Sequence, residues 1–164
     1  MKTKYTDFQK ERARLLRESY LQDGINQAKK NEILHIKACM LYWAEGSKQK
    51  NMFQFTNCDI NTHKIIISFL IKYFPNHFKK LKARINYYSS QELSYDDIKN
   101  YWKKELLLTD DQFIKPTDRT KYYKSPSNNK YPYGILQIQL NSTELIHNIF
   151  GSINEYVGTK LYSA

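Results

Sequence analysis

The chain has 164 residues, with 26 Lys and Arg against 16 Asp and Glu, a formal charge of +10, and 41% apolar residues. That length fits one domain with at most a short appendage, and the apolar share supports a core and argues against global disorder. Five Gly and four Pro exclude a collagen-like or low-complexity chain, and two cysteines, Cys39 and Cys58, exclude a disulfide framework.

The apolar runs at 65–67 and 69–71 are far shorter than the roughly 20 residues needed to cross a bilayer. Residues 1–7 lack the apolar stretch of a secretory signal. The expectation is a soluble, cytoplasmic protein with no membrane partner. Its basic surplus favours nucleic acid as the partner. A Lys-, Asn- and Tyr-rich composition, here with 14 Tyr, also raises the charge without any such role.

Residues 7–22 read as a charged helix, and Asp23-Gly24 as its break. A second helix is expected over 27–45, stopped by Gly46. Its last two turns, 38–44, are apolar on all sides, which predicts burial on more than one side. Residues 1–30 are thus a basic helical arm, a relic of a helix-turn-helix at most. Residues 31–164 form the main αβ domain.

Residues 52–57 alternate as a strand. Asp59 or Asn61 then caps a helix over 62–74, which Pro75 follows. Residues 81–88 alternate again, with Lys82, Arg84 and Asn86 on the polar side. A helix is expected over 95–107, with Trp102 and Leu106 in the core. Residues 117–133 read as a loop. Residues 134–141 form a further strand, and Ser142 or Asn141 caps a final helix through about 157. The order predicts an α+β fold with helices covering one sheet face.

The polar faces of the three strands carry Gln54 and Thr56, then Lys82, Arg84 and Asn86, then Gln137, Gln139 and Asn141, without an acid among them. Arg and Lys donate to guanine edges or phosphates, and Asn and Gln pair with adenine edges. A curved sheet can present such rows to a groove. A half-exposed sheet has a polar face in any case. The one dense basic run, Lys115, Arg119, Lys121, Lys124 and Lys130, is expected to clamp a backbone. Other constellations are bland. His35 and Cys39 have the spacing of half a zinc site with nothing to complete it. Asp96-Asp97 and Asp110-Asp111 fall where helix N-terminal turns need carboxylates. No phosphate loop or nucleotide-binding glycine motif is present.

The segment 38–46, Ala-Cys-Met-Leu-Tyr-Trp-Ala-Glu-Gly, followed by a strand and the turn Thr56-Asn57-Cys58-Asp59, resembles the LAGLIDADG motif of homing endonucleases. Leu41, Ala44, Glu45 and Gly46 match its Leu, Ala, acidic residue and terminal Gly. Residues 41–48 are similar to the "LYWxEGxK" form in bacterial proteins of that kind, and the likeness extends over about 33–157. The resemblance implies a half-domain whose antiparallel sheet forms a saddle, with helices on one face, binding double-stranded DNA, with Glu45 holding Mg²⁺ or Mn²⁺ for cleavage and no small-molecule cofactor. Lys48 would join the DNA-binding residues. With a single motif copy, a complete site implies a homodimer through Ala38, Leu41, Tyr42 and Ala44. A DNA-binding regulator without catalysis and an RNA-binding splicing helper are the alternatives on the same scaffold.

Overall fold

A computed structural model describes residues 2–90, 92–121 and 131–163. Among them it holds six helices and a four-stranded sheet, an α+β fold. No helix among the described residues is long and apolar enough to cross a membrane. The chain divides into two compact units. The first comprises 1–44, 48–53 and 141–164; the second comprises 45–47 and 54–140. Residues 1–30, read from the sequence as an arm, therefore share a unit with the helix that follows them.

In the first unit, α1 spans Lys2–Ala28, α2 Ile33–Glu45 and α6 Thr143–Val157. Helix α1 does not break at Gly24. It runs on to Ala28, and the chain turns through Asn31, whose φ of 53° is left-handed. Gly24 instead marks the closest approach of α1 to α6: a Cβ there would lie 1.9 Å from the carbonyl oxygen of Asn148. A glycine inside a helix signals either an end or a close crossing, and here the crossing prevails. Ser142 caps α6 by accepting from the Leu145 N–H, and Leu145, Ile146, Ile149, Phe150 and Ile153 are buried as their spacing predicts.

Helix α2 buries one side only. His35, Ala38, Cys39 and Tyr42 face inward, and the Tyr42 ring stacks on Phe53 with centroids 4.9 Å apart. Trp43 and Ala44 are exposed and Met40 is half-buried, so the expectation of a helix end buried on several sides does not hold.

The second unit holds most of the sheet, whose order is β1-β4-β2-β3, with β1 Met52–Asn57, β2 Lys82–Tyr87, β3 Thr117–Asp118 and β4 Ile135–Asn141. β2 pairs antiparallel with β4 but parallel with β3, so the sheet is mixed rather than antiparallel. The difference comes from a two-residue strand inside what reads as a loop, too short for any alternation to announce it.

Phe55, Ala83, Ile85, Leu136 and Ile138 are fully buried on the sheet's inner face. Helices α3 (Ile60–Tyr73) and α5 (Tyr95–Leu106) cover that face, and α4 is a single turn at Pro75–Phe78. Asp59 caps α3, accepting from the Asn61 N–H at 2.8 Å. Ser94 and Asp97 form a reciprocal capping box on α5. The buried imidazole of His63 meets Phe55 and Trp102 edge-on, at 5.2 and 5.3 Å between centroids. Trp102 donates its Nε1–H to the Tyr133 carbonyl at 2.7 Å, so the largest apolar side chain of this core leaves no polar atom unmet.

Candidate functional site

Strand alternation sends every second residue of β1, β2 and β4 to the outer face. Register then decides which of them meet. Lys82 stands opposite Gln139, Arg84 opposite Gln137 and Asn86 opposite Ile135. Directly opposed residues of an antiparallel pair share a face, so a basic row runs beside an amide row.

Over one end of this face lies a concavity of about 580 Å³. Gln54 and Thr56 line it from β1, Gln137 and Ile135 from β4, and Asn86 from β2. Thr117 of β3 and Arg119 of the following turn close its far side. Among the described residues no carboxylate lines it. Five of the residues expected on a binding surface are thus gathered at one place. Thr117 and Ile135 were not expected there. Thr117 reaches it through the two-residue β3, and Ile135 because β4 begins one residue after Gly134, where the polar row is not yet established.

The carboxamide of Gln137 is held along its strand, donating from Nε2 to Oε1 of Gln139 at 2.6 Å. Arg84 is half-buried and its Nε has no hydrogen-bond partner among the described residues. Lys82 is exposed and donates to the Asp111 carbonyl at 2.8 Å. Lys115 is exposed on the segment leading to β3. The side chain of Lys121, with Lys124 and Lys130, lies outside the described residues. Lys48 belongs to the first unit, where its Nζ donates to the Tyr42 carbonyl at 3.2 Å.

Glu45 is the last residue of α2 and is exposed. The residues after it run beside β1: Gly46 forms an antiparallel bridge with Phe55, and the Ser47 N–H donates to the Gln54 carbonyl at 2.9 Å. The carboxylate-bearing residue is therefore anchored next to the strand that carries Gln54 and Thr56.

Among the described residues no three His, Cys, Asp or Glu side chains gather as a metal site. A divalent ion at Glu45 would draw its other ligands from water, phosphate or a second copy of the chain. His35 and Cys39 stay apart from such chemistry. Both are buried, the sulfur lies 3.8 Å from His35 Nδ1, and burial pushes the Cys39 thiol up to about 12. Asp110 pairs with Lys103 and Lys99, and hydrogen bonds from those two ammonium groups hold its carboxyl down to about 2.

Of the residues expected at a dimer contact, Ala44 is exposed, Leu41 half-buried, and Ala38 and Tyr42 buried within the unit. The outward side of α2 carries Ile33, Lys37, Trp43 and Ala44, all exposed, with Ile36 and Met40 half-buried beside them; Ile33 is at 70% and Trp43 at 41% exposure. Comparison with family models, with curated proteins and with solved structures finds no match to this chain.

Proposed function

We propose that this chain is a DNA-binding protein of the homing-endonuclease type, cleaving duplex DNA with a divalent metal as a homodimer. The observation that carries the reading is the acid-free concavity on the outer sheet face, with the segment bearing Glu45 bridged to the same sheet's β1. Amides, hydroxyls and a guanidinium are the groups that contact base edges and phosphates. A single carboxylate is a poor site for Mg²⁺. Two copies of Glu45 around a twofold axis, with phosphate oxygens and water, supply the hard oxygen ligands the ion prefers. The ion would supply Lewis-acid stabilisation and an activated water. The outward side of α2, apolar at Ile33, Met40 and Trp43 beside Lys37 and ending at Glu45, supports a contact that brings two such carboxylates together.

The test compares wild type with Glu45→Gln on a panel of long duplexes in Mg²⁺ or Mn²⁺. Metal-dependent nicking by wild type, lost in the variant while DNA binding persists, is the expected result. Equal nicking by both removes Glu45 from the chemistry. A second reading on the same fold is a DNA-binding regulator, which uses the sheet face and does not need Glu45. It is the correct one if binding is steeply salt-sensitive and neither protein cleaves.

A further inference from the structure

Base edges differ in what they ask of a protein. Adenine takes a carboxamide on its N6–H and N7, guanine takes Arg or Lys on O6 and N7, cytosine N4–H takes a carboxylate, and the thymine methyl takes an apolar contact. The concavity answers only some of these. Among the described residues that line it, the carboxamides are Gln54, Asn86 and Gln137, the apolar group is Ile135, the cation is Arg119, and there is no carboxylate.

From this composition, and resting on the DNA-binding reading above, we propose that the concavity reads A·T pairs in the major groove. Gln137 is the principal reader. Its amide is held by Gln139 through one N–H, which leaves its Oε1 and its second N–H for a base. One acceptor and one donor are the pair that adenine N6–H and N7 require. Ile135 stands opposite Asn86 on the same face, so an amide and an apolar group occupy adjacent places across the strands. That juxtaposition matches an adenine beside a thymine methyl. Arg119 sits at the β3 rim of the concavity, where a cation serves a phosphate and carries no sequence information. A-form RNA hides the same base edges in a deep, narrow groove that side chains do not enter, so duplex DNA is the occupant.

The experiment uses the full chain and two duplexes of equal length, one with a central A·T tract and one with a central G·C tract, preceded by selection from a randomised duplex library. Wild type is expected to enrich A·T steps and to bind the A·T-centred duplex about tenfold more tightly, the scale of one bidentate base contact. Gln137→Ala and Asn86→Ala are expected to narrow that gap. Gln137→Glu offers cytosine N4–H an acceptor and is expected to shift the selected sequences toward C·G. Arg119→Ala is expected to weaken both duplexes by a similar factor and to flatten the salt dependence by about one charge. Tight, salt-sensitive binding that is equal for the two duplexes, with no enrichment, overturns A·T readout and leaves the DNA-binding reading standing. No binding to either duplex at low salt overturns both. Preferential binding of a structured RNA in competition overturns the assignment of duplex DNA as occupant.

Discussion

The hydroxyl of Ser152 on α6 donates to the carbonyl of Gly24 on α1 at 3.0 Å, across a crossing where neither Gly24 nor Gly151 has room for a Cβ. A Cβ on Gly24 would lie 1.9 Å from the Asn148 oxygen, and one on Gly151 would lie 2.0 Å from the Leu21 oxygen. Both obstacles are backbone, so no rotamer change relieves them. Gly24→Ala and Gly151→Ala are each expected to destabilise the first unit by about 3 kcal/mol or more, above the cost of ordinary overpacking. Ser152→Ala removes one buried hydrogen bond and is expected to cost about 1 kcal/mol. Denaturant midpoints of the three variants check the order, and an undisturbed Gly151→Ala would mean that the helices do not cross this closely.

Leu107 follows α5 with φ at 56°, a left-handed conformation in which its N–H still donates to the Lys103 carbonyl. A left-handed residue with a Cβ carries roughly 1–2 kcal/mol of strain. Glycine relieves that strain and adds backbone entropy to the unfolded chain worth roughly 0.5–1 kcal/mol. The side chain is 72% exposed, so little burial is lost. Leu107→Gly is therefore expected to raise stability by about 0.5–1 kcal/mol, read as a higher urea midpoint with an unchanged slope.

Much of this was legible because period and burial agree. The residues 52–57 alternate, and Phe53 and Phe55 are fully buried while Thr56 is exposed. The same holds for 82–87, where Ala83 and Ile85 face in. Helix ends were legible where a side chain does the capping, as Asp59 and Ser142 do. What was not legible depends on tertiary contact. Gly24 carries the local mark of a break, and only the backbone of α6 reveals it as a packing residue. β3 has two residues and exists through its pairing with Asn86 and Tyr87. The inward side of α2 was likewise hidden, since an all-apolar helix end does not declare which face is covered. The residues Gln54, Thr56, Asn86, Arg119 and Gln137 could be named from the strands' polar sides, but their meeting around one concavity needed the strand order.

His63 makes the second unit sensitive to acid. Its Nε2 lies 3.1 Å from the Asn57 carbonyl, which accepts and so places the proton on that nitrogen. Burial, countered in part by that hydrogen bond, lowers its pKa from 6.5 to about 4. Between those values the unfolded chain binds a proton that the folded chain refuses, so the unfolded state is the more protonated and stability falls as pH falls. The contribution is complete above about pH 6.5 and declines by about 3 kcal/mol on the way to pH 4. His147, buried beside Arg17 and Lys50, is shifted in the same direction, first by burial. Denaturation at pH 7 and pH 4.5 measures the loss. An imidazole shift for His63 that titrates near 6.5 in the folded protein would contradict it.

The outward face of α2 separates two kinds of substitution on one helix. Ile33, Ile36, Met40 and Trp43 recur at intervals of three and four, which sets them along one side. Tyr42 lies on the opposite side, fully buried and stacked on Phe53. If this face joins two copies, Met40→Glu and Trp43→Glu place charge in the contact without entering the core. Both are expected to give monomers by sedimentation with thermal midpoints close to that of wild type diluted to monomer. Tyr42→Ala is expected instead to unfold the first unit, at about 3–5 kcal/mol, the cost of emptying an aromatic site. Pairing also links the two halves of the proposed chemistry, because Glu45 closes the same helix. Met40→Glu is therefore expected to abolish metal-dependent nicking although Glu45 is untouched. A wild type that stays monomeric on DNA at tens of micromolar would remove the paired carboxylates, and with them the cleavage reading, while leaving the sheet face free to bind DNA.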